Sequence, residues 1–218
     1  MIKACIFDMD GTTVNSLNSI AYFANNALAQ FGFPPIEKEK YKYLVGNGAS
    51  VLVKRMIDIV GGTQEDYINV LNFYNSTYDN DFMYLTEPYE GIPEMLKMLK
   101  GFGIKTAIVS NKPHSTAKKI SDKLFGDKLI DICRGAKEGV PLKPDPTVVV
   151  EVMKAFHITS DECLYIGDTA VDMMTGKNAG IYSIGVLWGF RGADELREGG
   201  ANEITNDPMR IAFLAEHR

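Results

Sequence analysis

Short apolar segments recur along this chain of 218 residues and, from Leu96 onward, alternate with segments of helical periodicity. Segments with the length and residue types of buried strands are residues 4–7, 106–109, 130–133, 163–166 and 181–186. Strands buried on both faces form continuous apolar runs, and their alternation with helices requires parallel crossover connections. The pattern therefore predicts an α/β fold with a doubly wound, Rossmann-like parallel sheet.

Residues 16–83 interrupt this alternation, because they contain no convincing strand. Helical segments near residues 17–31, 36–45, 49–60 and 64–82 are separated there by glycine and proline positions. Thr63 and Asp66 have the spacing of a capping box at the start of the last segment. We expect residues 16–83 to form a four-helix domain inserted into an α/β domain made of residues 1–15 and 84–218.

Composition and charge exclude several classes of protein. With 45% hydrophobic and 23% charged residues, the chain is that of an ordinary globular protein and not a disordered one. A net charge of -5 argues against nucleic-acid and anionic-membrane partners. Cys5, Cys133 and Cys163 lie far apart in apolar segments, which is typical of reduced core thiols in a cytoplasmic protein. The first apolar run ends at Asp8, so we expect no signal peptide. No run approaches about 18 uninterrupted apolar residues, so we expect no membrane span.

Paired carboxylates follow two of the predicted strands. Asp8 and Asp10 come directly after the first strand, and Asp168 and Asp172 come after the strand at residues 163–166. Ligands of open α/β sheets bind outside the carboxyl ends of the strands, so these side chains should meet in one crevice. Burying several carboxylates together raises their pKa values unless a cation compensates them. Oxygen ligands of this kind predict a Mg²⁺ site.

Residues suited to binding a phosphoryl group occupy two further positions in the same arrangement. Ser110 and Asn111 follow the predicted strand at residues 106–109, where a hydroxyl and backbone N–H groups at a helix start form an anion site. Lys143 precedes the predicted helix at residues 147–156 and supplies a fixed positive charge. Each motif taken alone is more often a turn, a helix cap or a solvated loop. Their joint occurrence at strand ends favours a catalytic site.

In this order, residues 7–12 (FDMDGT), 109–111 (VSN), 142–144 (LKP) and 166–169 (IGDT) with Asp172 resemble motifs I to IV of the haloacid dehalogenase-like (HAD) superfamily. The resemblance covers nearly the whole chain, and the helical insertion lies at the position of a C1-type cap. It implies that Asp8 is a nucleophile that forms an aspartyl-phosphate and that Asp10 is the general acid and base. It also implies that Asp8, the Asp10 backbone carbonyl and Asp168 bind Mg²⁺, and that Asp172 orients the metal's waters or its other ligands.

The same resemblance assigns the phosphoryl group to Thr12, Ser110, Asn111 and Lys143. The presence of Asp10 matters here, because haloacid dehalogenases resemble this motif but lack the second aspartate and need no metal. The chain is therefore similar to the phosphotransferases of the superfamily. Asn15 departs from the aspartate that many relatives carry at this position, and it lies at the linker to the cap.

Two segments are most similar to phosphoglycolate phosphatases, namely residues 45–49 (VGNGA) with Lys54 and Arg55, and residues 185–191 (GVLWGFR). This implies a mobile cap loop that contains Gly46 and Asn47, with Arg55 binding a substrate carboxylate as a bidentate donor. The alternative for Arg55 is a solvated helix face.

The leading hypothesis from the sequence is a Mg²⁺-dependent phosphatase acting on a small phosphorylated metabolite, 2-phosphoglycolate above all. The alternative within the superfamily is a pyrophosphatase, or a phosphatase or phosphomutase for another small phosphometabolite. An alternative of a different class is a non-catalytic binding protein on the HAD fold. We expect a monomer or a weak homodimer.

Overall fold

The computed structural model describes residues 1–218, which form two compact units. One unit consists of Met1–Asn15 with Pro88–Arg218, and the other is Ser16–Glu87. The second unit extends to Glu87, whereas the sequence predicted its boundary at residue 83. No helix combines the length and the apolar character needed to cross a membrane.

Eight strands are present in the chain. They are β1 (Ala4–Phe7), β2 (Val14–Asn15), β3 (Glu87–Pro88), β4 (Lys105–Pro113), β5 (Ile132–Ala136), β6 (Cys163–Gly167), β7 (Tyr182–Val186) and β8 (Glu203–Thr205). Six of them form a sheet in the order β5-β4-β1-β6-β7-β8, and every neighbouring pair is parallel. This confirms the predicted α/β class with a doubly wound parallel sheet.

Helices follow most of these strands. They are α1 (Leu17–Gln30), α2 (Lys38–Leu44), α3 (Ala49–Val60), α4 (Gln64–Asn80), α5 (Ile92–Gly101), α6 (His114–Leu124), α7 (Gly126–Leu129), α8 (Thr147–Phe156), α9 (Ala170–Asn178), α10 (Ala193–Gly199) and α11 (Pro208–His217), with a 3₁₀ turn at Ser160–Glu162. The second unit contains α1 to α4. At its last helix, the predicted capping box is present, because Asp66 accepts from the Thr63 N–H at 2.8 Å and donates its own N–H to the Thr63 hydroxyl.

The central strand β1 is completely buried, and its neighbours β4 and β6 lie on either side of it. The strand order reverses at β1, since β4 and β5 continue in one direction and β6 to β8 in the other. Such a reversal opens a crevice at the carboxyl ends of the strands, where ligands bind in this class of fold. On one face of the sheet, α8 packs its apolar side onto the strands through Val149, Val152 and Phe156. The three cysteines are buried and free, as predicted.

The structure corrects the predicted end of β4. Ser110 and Asn111 lie within β4, which continues to Pro113, and they neither follow a strand nor begin a helix. The pairing of β4 with β5 shifts its register between Val109 and Pro113. An irregularity of this kind redirects side chains locally, which explains why a polar segment remains within the strand.

The chain beyond residue 190 contains β8, α10 and α11, none of which the sequence pattern predicts. The short strand β8 lies at the edge of the sheet and is only partly buried. An edge strand of three residues lacks the continuous apolar run by which the central strands were identified.

Candidate active site

Asp8 begins the site directly after β1. Its backbone N–H donates to the Ile166 carbonyl at 2.8 Å, so the end of β1 stays aligned with β6. A tight turn follows, in which the Gly11 N–H donates to the Val14 carbonyl at 3.0 Å. Gly11 has a φ of +89°, and a Cβ there would lie 2.2 Å from Asp168 Oδ2. Only glycine fits this turn, because both the backbone angle and the nearby carboxylate exclude a side chain.

Lys143 brings two of the predicted carboxylates together. Its ammonium group donates to Asp8 Oδ1 at 2.6 Å and to Asp172 Oδ1 at 2.7 Å. Burial by itself lowers the pKa of Lys143, but the carboxylates of Asp172 and Asp8 outweigh this effect and hold that pKa well above its usual value. Lys143 is therefore a permanent positive charge inside the site.

Asp8 is the carboxylate most affected by this environment. Burial raises its pKa to about 7, although the nearby Lys143 ammonium opposes the shift, and the charges of Asp172 and Asp10 add to it. In the absence of a further cation, this environment therefore favours the protonated form of Asp8. A compensating positive charge is needed to keep it ionised.

Asp168 is completely buried at the end of β6 and has no lysine or arginine in salt-bridge contact. The Thr12 hydroxyl donates to its Oδ1 at 3.0 Å, and the Phe190 backbone N–H donates to its Oδ2 at 2.8 Å. Burial raises its pKa well above the usual range, and the charges of Asp172 and Asp8 act in the same direction. A cation beside this side chain would favour its ionised form.

Asp172 serves the local structure and the site at once. Its Oδ2 accepts from the Thr169 hydroxyl at 2.7 Å and from the Thr169 N–H at 3.1 Å, which forms the capping box of α9. Its Oδ1 faces Lys143. Both oxygens are thus engaged by protein donors, an arrangement that suits a residue that orients its neighbours.

Four carboxylates and two ammonium groups make up the charged centre. The carboxylates belong to Asp8, Asp10, Asp168 and Asp172, and the ammonium groups to Lys112 and Lys143. When all are ionised, two negative charges remain uncompensated, which is the charge that one divalent cation neutralises. Carboxylate oxygens of Asp8, Asp168 and Asp172 lie within 4.8 Å of one another. The donor set consists of oxygens alone, so it fits Mg²⁺ by both charge and chemistry.

The predicted phosphoryl-binding residues lie in the same unit. Ser110 and Asn111 are buried in β4. The Asn111 side chain also has a structural contact, since its Oδ1 accepts the Lys143 N–H at 2.9 Å and its Nδ2 donates to the Lys143 carbonyl at 3.2 Å. Asn111 therefore fixes the backbone that carries Lys143.

Gly46, Asn47 and Arg55 lie in the other unit, where Arg55 contacts Asn47. The Arg55 guanidinium donates to the Leu44 carbonyl at 2.8 Å, to Asn47 Oδ1 at 2.9 Å and, more weakly, to the Tyr43 carbonyl at 3.4 Å. These bonds join the segment between α2 and α3, which contains Gly46 and Asn47, to α3. The binding of a substrate carboxylate by Arg55 stays a prediction.

Several site residues were not identified from the sequence. Lys112 is buried, and its ammonium contacts both oxygens of Asp10. Its position directly after the uncharged run of residues 106–111 was a usable signal for it. Trp188 donates its indole N–H to the Thr12 carbonyl at 2.9 Å, and Phe190 contributes only a backbone N–H. No residue pattern indicates a backbone donor of that kind.

The chain is similar to known proteins of one family. The family model described as haloacid dehalogenase-like hydrolase matches residues 5–186. Phosphoglycolate phosphatase 1 of Pseudomonas aeruginosa is 32% identical over 200 residues, which cover 90% of this chain and 73% of that protein. The phosphoglycolate phosphatase of Aquifex aeolicus is 31% identical over 189 residues, which cover 87% and 86%. A crystal structure from Lactobacillus delbrueckii subsp. bulgaricus, described as a candidate phosphoglycolate phosphatase, has a TM-score of 0.93 at 30% identity and 99% coverage of both chains.

Proposed function

Because the chain belongs to the haloacid dehalogenase-like hydrolases and is a phosphoric monoester hydrolase, we propose that it is a Mg²⁺-dependent phosphatase of small phosphorylated metabolites, with 2-phosphoglycolate as its main substrate. The observation that carries the proposal is the buried centre of four carboxylates and two lysines at the carboxyl ends of β1, β4 and β6. The names of the relatives support the substrate.

Asp8, the backbone carbonyl of Asp10 and Asp168 would hold Mg²⁺, and Asp172 would orient the groups around it. When bound, the metal supplies positive charge that keeps these carboxylates ionised and offsets the charge of the phosphoryl group. Two observations support this fit, namely the uncompensated charge of the centre and the complete burial of Asp168 without a cationic partner.

The reaction proceeds in two displacements at phosphorus. In the first, a carboxylate oxygen of Asp8 forms a bond to phosphorus while the ester P–O bond breaks, and Asp10 gives its proton to the departing alkoxide. In the second, water forms the new P–O bond, its proton passes to Asp10, and the bond between phosphorus and Asp8 breaks. The products are the alcohol and inorganic phosphate, and both aspartates return to their starting states.

Thr12, Ser110, Asn111 and Lys143 are proposed to bind the phosphoryl oxygens. Lys143 is best supported, because the carboxylates of Asp8 and Asp172 keep it charged and its ammonium lies 2.6 Å from the nucleophile. Positive charge placed in advance where negative charge develops is the largest single contribution in many enzymes. The hydroxyls and the N–H groups of β4 would complete the binding of the other oxygens.

The proposal includes the location, the oligomeric state and the partners that the sequence predicts. We expect a cytoplasmic enzyme that acts as a monomer or a weak homodimer on a small molecule, without nucleic-acid or membrane partners. The net charge of -5 supports the last point, since nucleic-acid and anionic-lipid surfaces favour basic proteins.

The test is release of inorganic phosphate from a panel that contains 2-phosphoglycolate, pyrophosphate, sugar phosphates and phenyl phosphate. Each compound is assayed with Mg²⁺, with Ca²⁺ and with EDTA, and the Asp8→Asn variant is the control for contaminating phosphatases. We expect the highest kcat/KM for 2-phosphoglycolate, poor support by Ca²⁺ because of its looser coordination, and no activity in EDTA. Full activity in chelator would refute the metal dependence. A higher kcat/KM for pyrophosphate or a sugar phosphate than for 2-phosphoglycolate would show that the proposed main substrate is wrong.

A further inference from the structure

Lys112 is a buried charged residue in β4 that the proposed chemistry does not use. Its ammonium nitrogen lies 3.1 Å from Oδ1 of Asp10 and 3.1 Å from Oδ2 of the same residue. The side chain of Lys112 is 7% exposed and that of Asp10 is 17% exposed. Asp10 follows the end of β1, and Lys112 lies in the neighbouring strand β4, so the contact joins two distant parts of the sequence.

Stabilisation of the fold does not explain this pair well. Replacing a buried ion pair by apolar side chains of similar size is often neutral or even stabilising, because both charges must be removed from water. The register of β4 also shifts between Val109 and Pro113, so the local backbone departs from a regular strand where Lys112 lies. Irregularities of this kind occur next to active sites, where they redirect a side chain.

The geometry of the contact restricts the orientation of Asp10. An aspartate side chain rotates about two bonds, and a donor that meets only one oxygen leaves the carboxyl plane free to turn. An ammonium placed at equal distance from both oxygens opposes that rotation. The ammonium lies at the edge shared by the two oxygens. An ionised carboxylate has about four lone-pair sites in all, so other sites of Asp10 stay available for proton exchange.

We propose that Lys112 is a positioning residue, which holds the carboxyl group of Asp10 in the orientation for proton exchange with the leaving oxygen and then with water. The inference rests on the proposed function, in which Asp10 is the general acid and base. Lys112 acts through Asp10 and does not touch the substrate. Its loss should therefore matter most for substrates whose leaving oxygen must be protonated.

The experiment compares kcat/KM for a series of aryl and alkyl phosphates whose leaving alcohols differ in acidity. This constant reports the steps up to release of the alcohol, so it isolates the first displacement. In Lys112→Met, which keeps the length of the side chain without its charge, we expect at least about a tenfold loss for the least acidic alcohols. For the most acidic alcohols, which leave without a proton, we expect less than about a threefold loss. Lys112→Arg should follow the wild type.

Two comparisons separate positioning from a structural role. Lys118→Met, which removes an exposed lysine of α6 paired with Asp122, is the matched control and should leave the whole series unchanged. In an Asp10→Asn background, Lys112→Met should cause less than about a further threefold loss, because groups that act as a unit are not additive. A full additional loss in the double variant would overturn the proposal, as would equal losses for all substrates or none.

Further outcomes discriminate between the explanations. A loss that follows a carboxylate on the alcohol, and not the acidity of the alcohol, would place Lys112 on the substrate and overturn the positioning role. An Arg variant as defective as the Met variant would show that fit and not charge matters, with the same consequence. A wild-type protein that hydrolyses no phosphate ester would overturn the proposed function and this role together. An active wild type that is insensitive to Lys112→Met would overturn the role alone.

Discussion

The ammonium nitrogen of Lys143 lies 2.6 Å from Oδ1 of Asp8, although 135 residues separate them in the sequence. The end of β1 supplies the carboxylate, and the segment before α8 supplies the lysine. The same ammonium also binds Asp172 at 2.7 Å. Two buried carboxylates therefore share one positive charge, and the geometry of the nucleophile depends on it.

Lys143→Met should impair both stability and activity. Removing one partner of a buried ion pair leaves the other charge without compensation, which lowers the free energy of unfolding by about 3–5 kcal/mol. Activity should fall by at least about 100-fold, the effect of losing one fixed group that stabilises the transition state. Chemical denaturation and phosphate release measure the two effects. Lys137→Met removes an exposed lysine from the same part of the chain and should change neither quantity.

Asp8 should make the metal-free protein less stable as the pH rises. Burial raises its pKa to about 7 in the folded state, against 3.8 in the unfolded chain. Between these values the folded protein binds the proton more tightly, so the free energy of unfolding falls as the pH increases through the window. The stabilising contribution is complete below the lower value and is lost as the pH passes the upper one.

The measurement is thermal unfolding of wild type and Asp8→Asn in EDTA between about pH 4 and about pH 8, a range that covers the interval between the two pKa values. As the pH rises, the unfolding temperature of Asp8→Asn should increase relative to that of the wild type, because asparagine does not ionise. Mg²⁺ should then stabilise the wild type more than the variant. If the unfolding temperature of the wild type in EDTA instead increased relative to that of Asp8→Asn as the pH rises, the raised pKa of Asp8 would be contradicted.

Arg55→Ala should weaken the helical unit without changing substrate preference. The guanidinium donates to the Leu44 carbonyl at the end of α2 and to Asn47 Oδ1, so its removal leaves these acceptors without a charged donor. We expect a loss of about 1–3 kcal/mol in the free energy of unfolding. Changes in kcat/KM should be similar for 2-phosphoglycolate and phenyl phosphate. Lys54→Ala, at an exposed neighbouring position, is the control.

A selective loss for 2-phosphoglycolate in Arg55→Ala, with phenyl phosphate unaffected, would instead support the sequence-based prediction that Arg55 binds the substrate carboxylate. A structural role of Arg55 and a role in substrate binding are distinguished only by this comparison of kcat/KM between 2-phosphoglycolate and phenyl phosphate. Unfolding measurements on the same variants establish whether the bonds to Leu44 and Asn47 stabilise the unit.

The sequence was most informative where the residue pattern reflects one physical requirement. Central strands such as β1 must be apolar because helices cover both faces of the sheet, and Asp8 was identifiable because a carboxylate directly follows such a strand. Lys112 was overlooked because a single lysine near a strand end is usually solvated, and only the fold places it against Asp10. The N–H of Phe190 leaves no trace in the sequence, because every residue except proline carries that donor.

Gly189 provides a test of the backbone that surrounds Asp168. A Cβ at this position would lie 2.3 Å from the Gly11 carbonyl oxygen and 2.4 Å from Asp168 Cβ, both of which are held by the turn after β1 and the end of β6. Gly189→Ala must therefore displace the segment that carries the Phe190 N–H, which donates to Asp168 Oδ2. We expect a loss of stability of about 1–3 kcal/mol from overpacking. We also expect weaker Mg²⁺ binding, because Asp168 loses a donor that orients it.

The matched control is Gly192→Ala, where a Cβ would have no atom within 4 Å. Titration of Mg²⁺ followed by calorimetry and by activity should show a higher half-saturating concentration for Gly189→Ala. Gly192→Ala should equal the wild type in both measurements. Loss of an outer contact to a metal ligand costs about 10- to 100-fold in metal affinity, so the expected difference is measurable. Wild-type Mg²⁺ affinity in a destabilised Gly189→Ala protein would show that the Phe190 N–H does not orient a metal ligand.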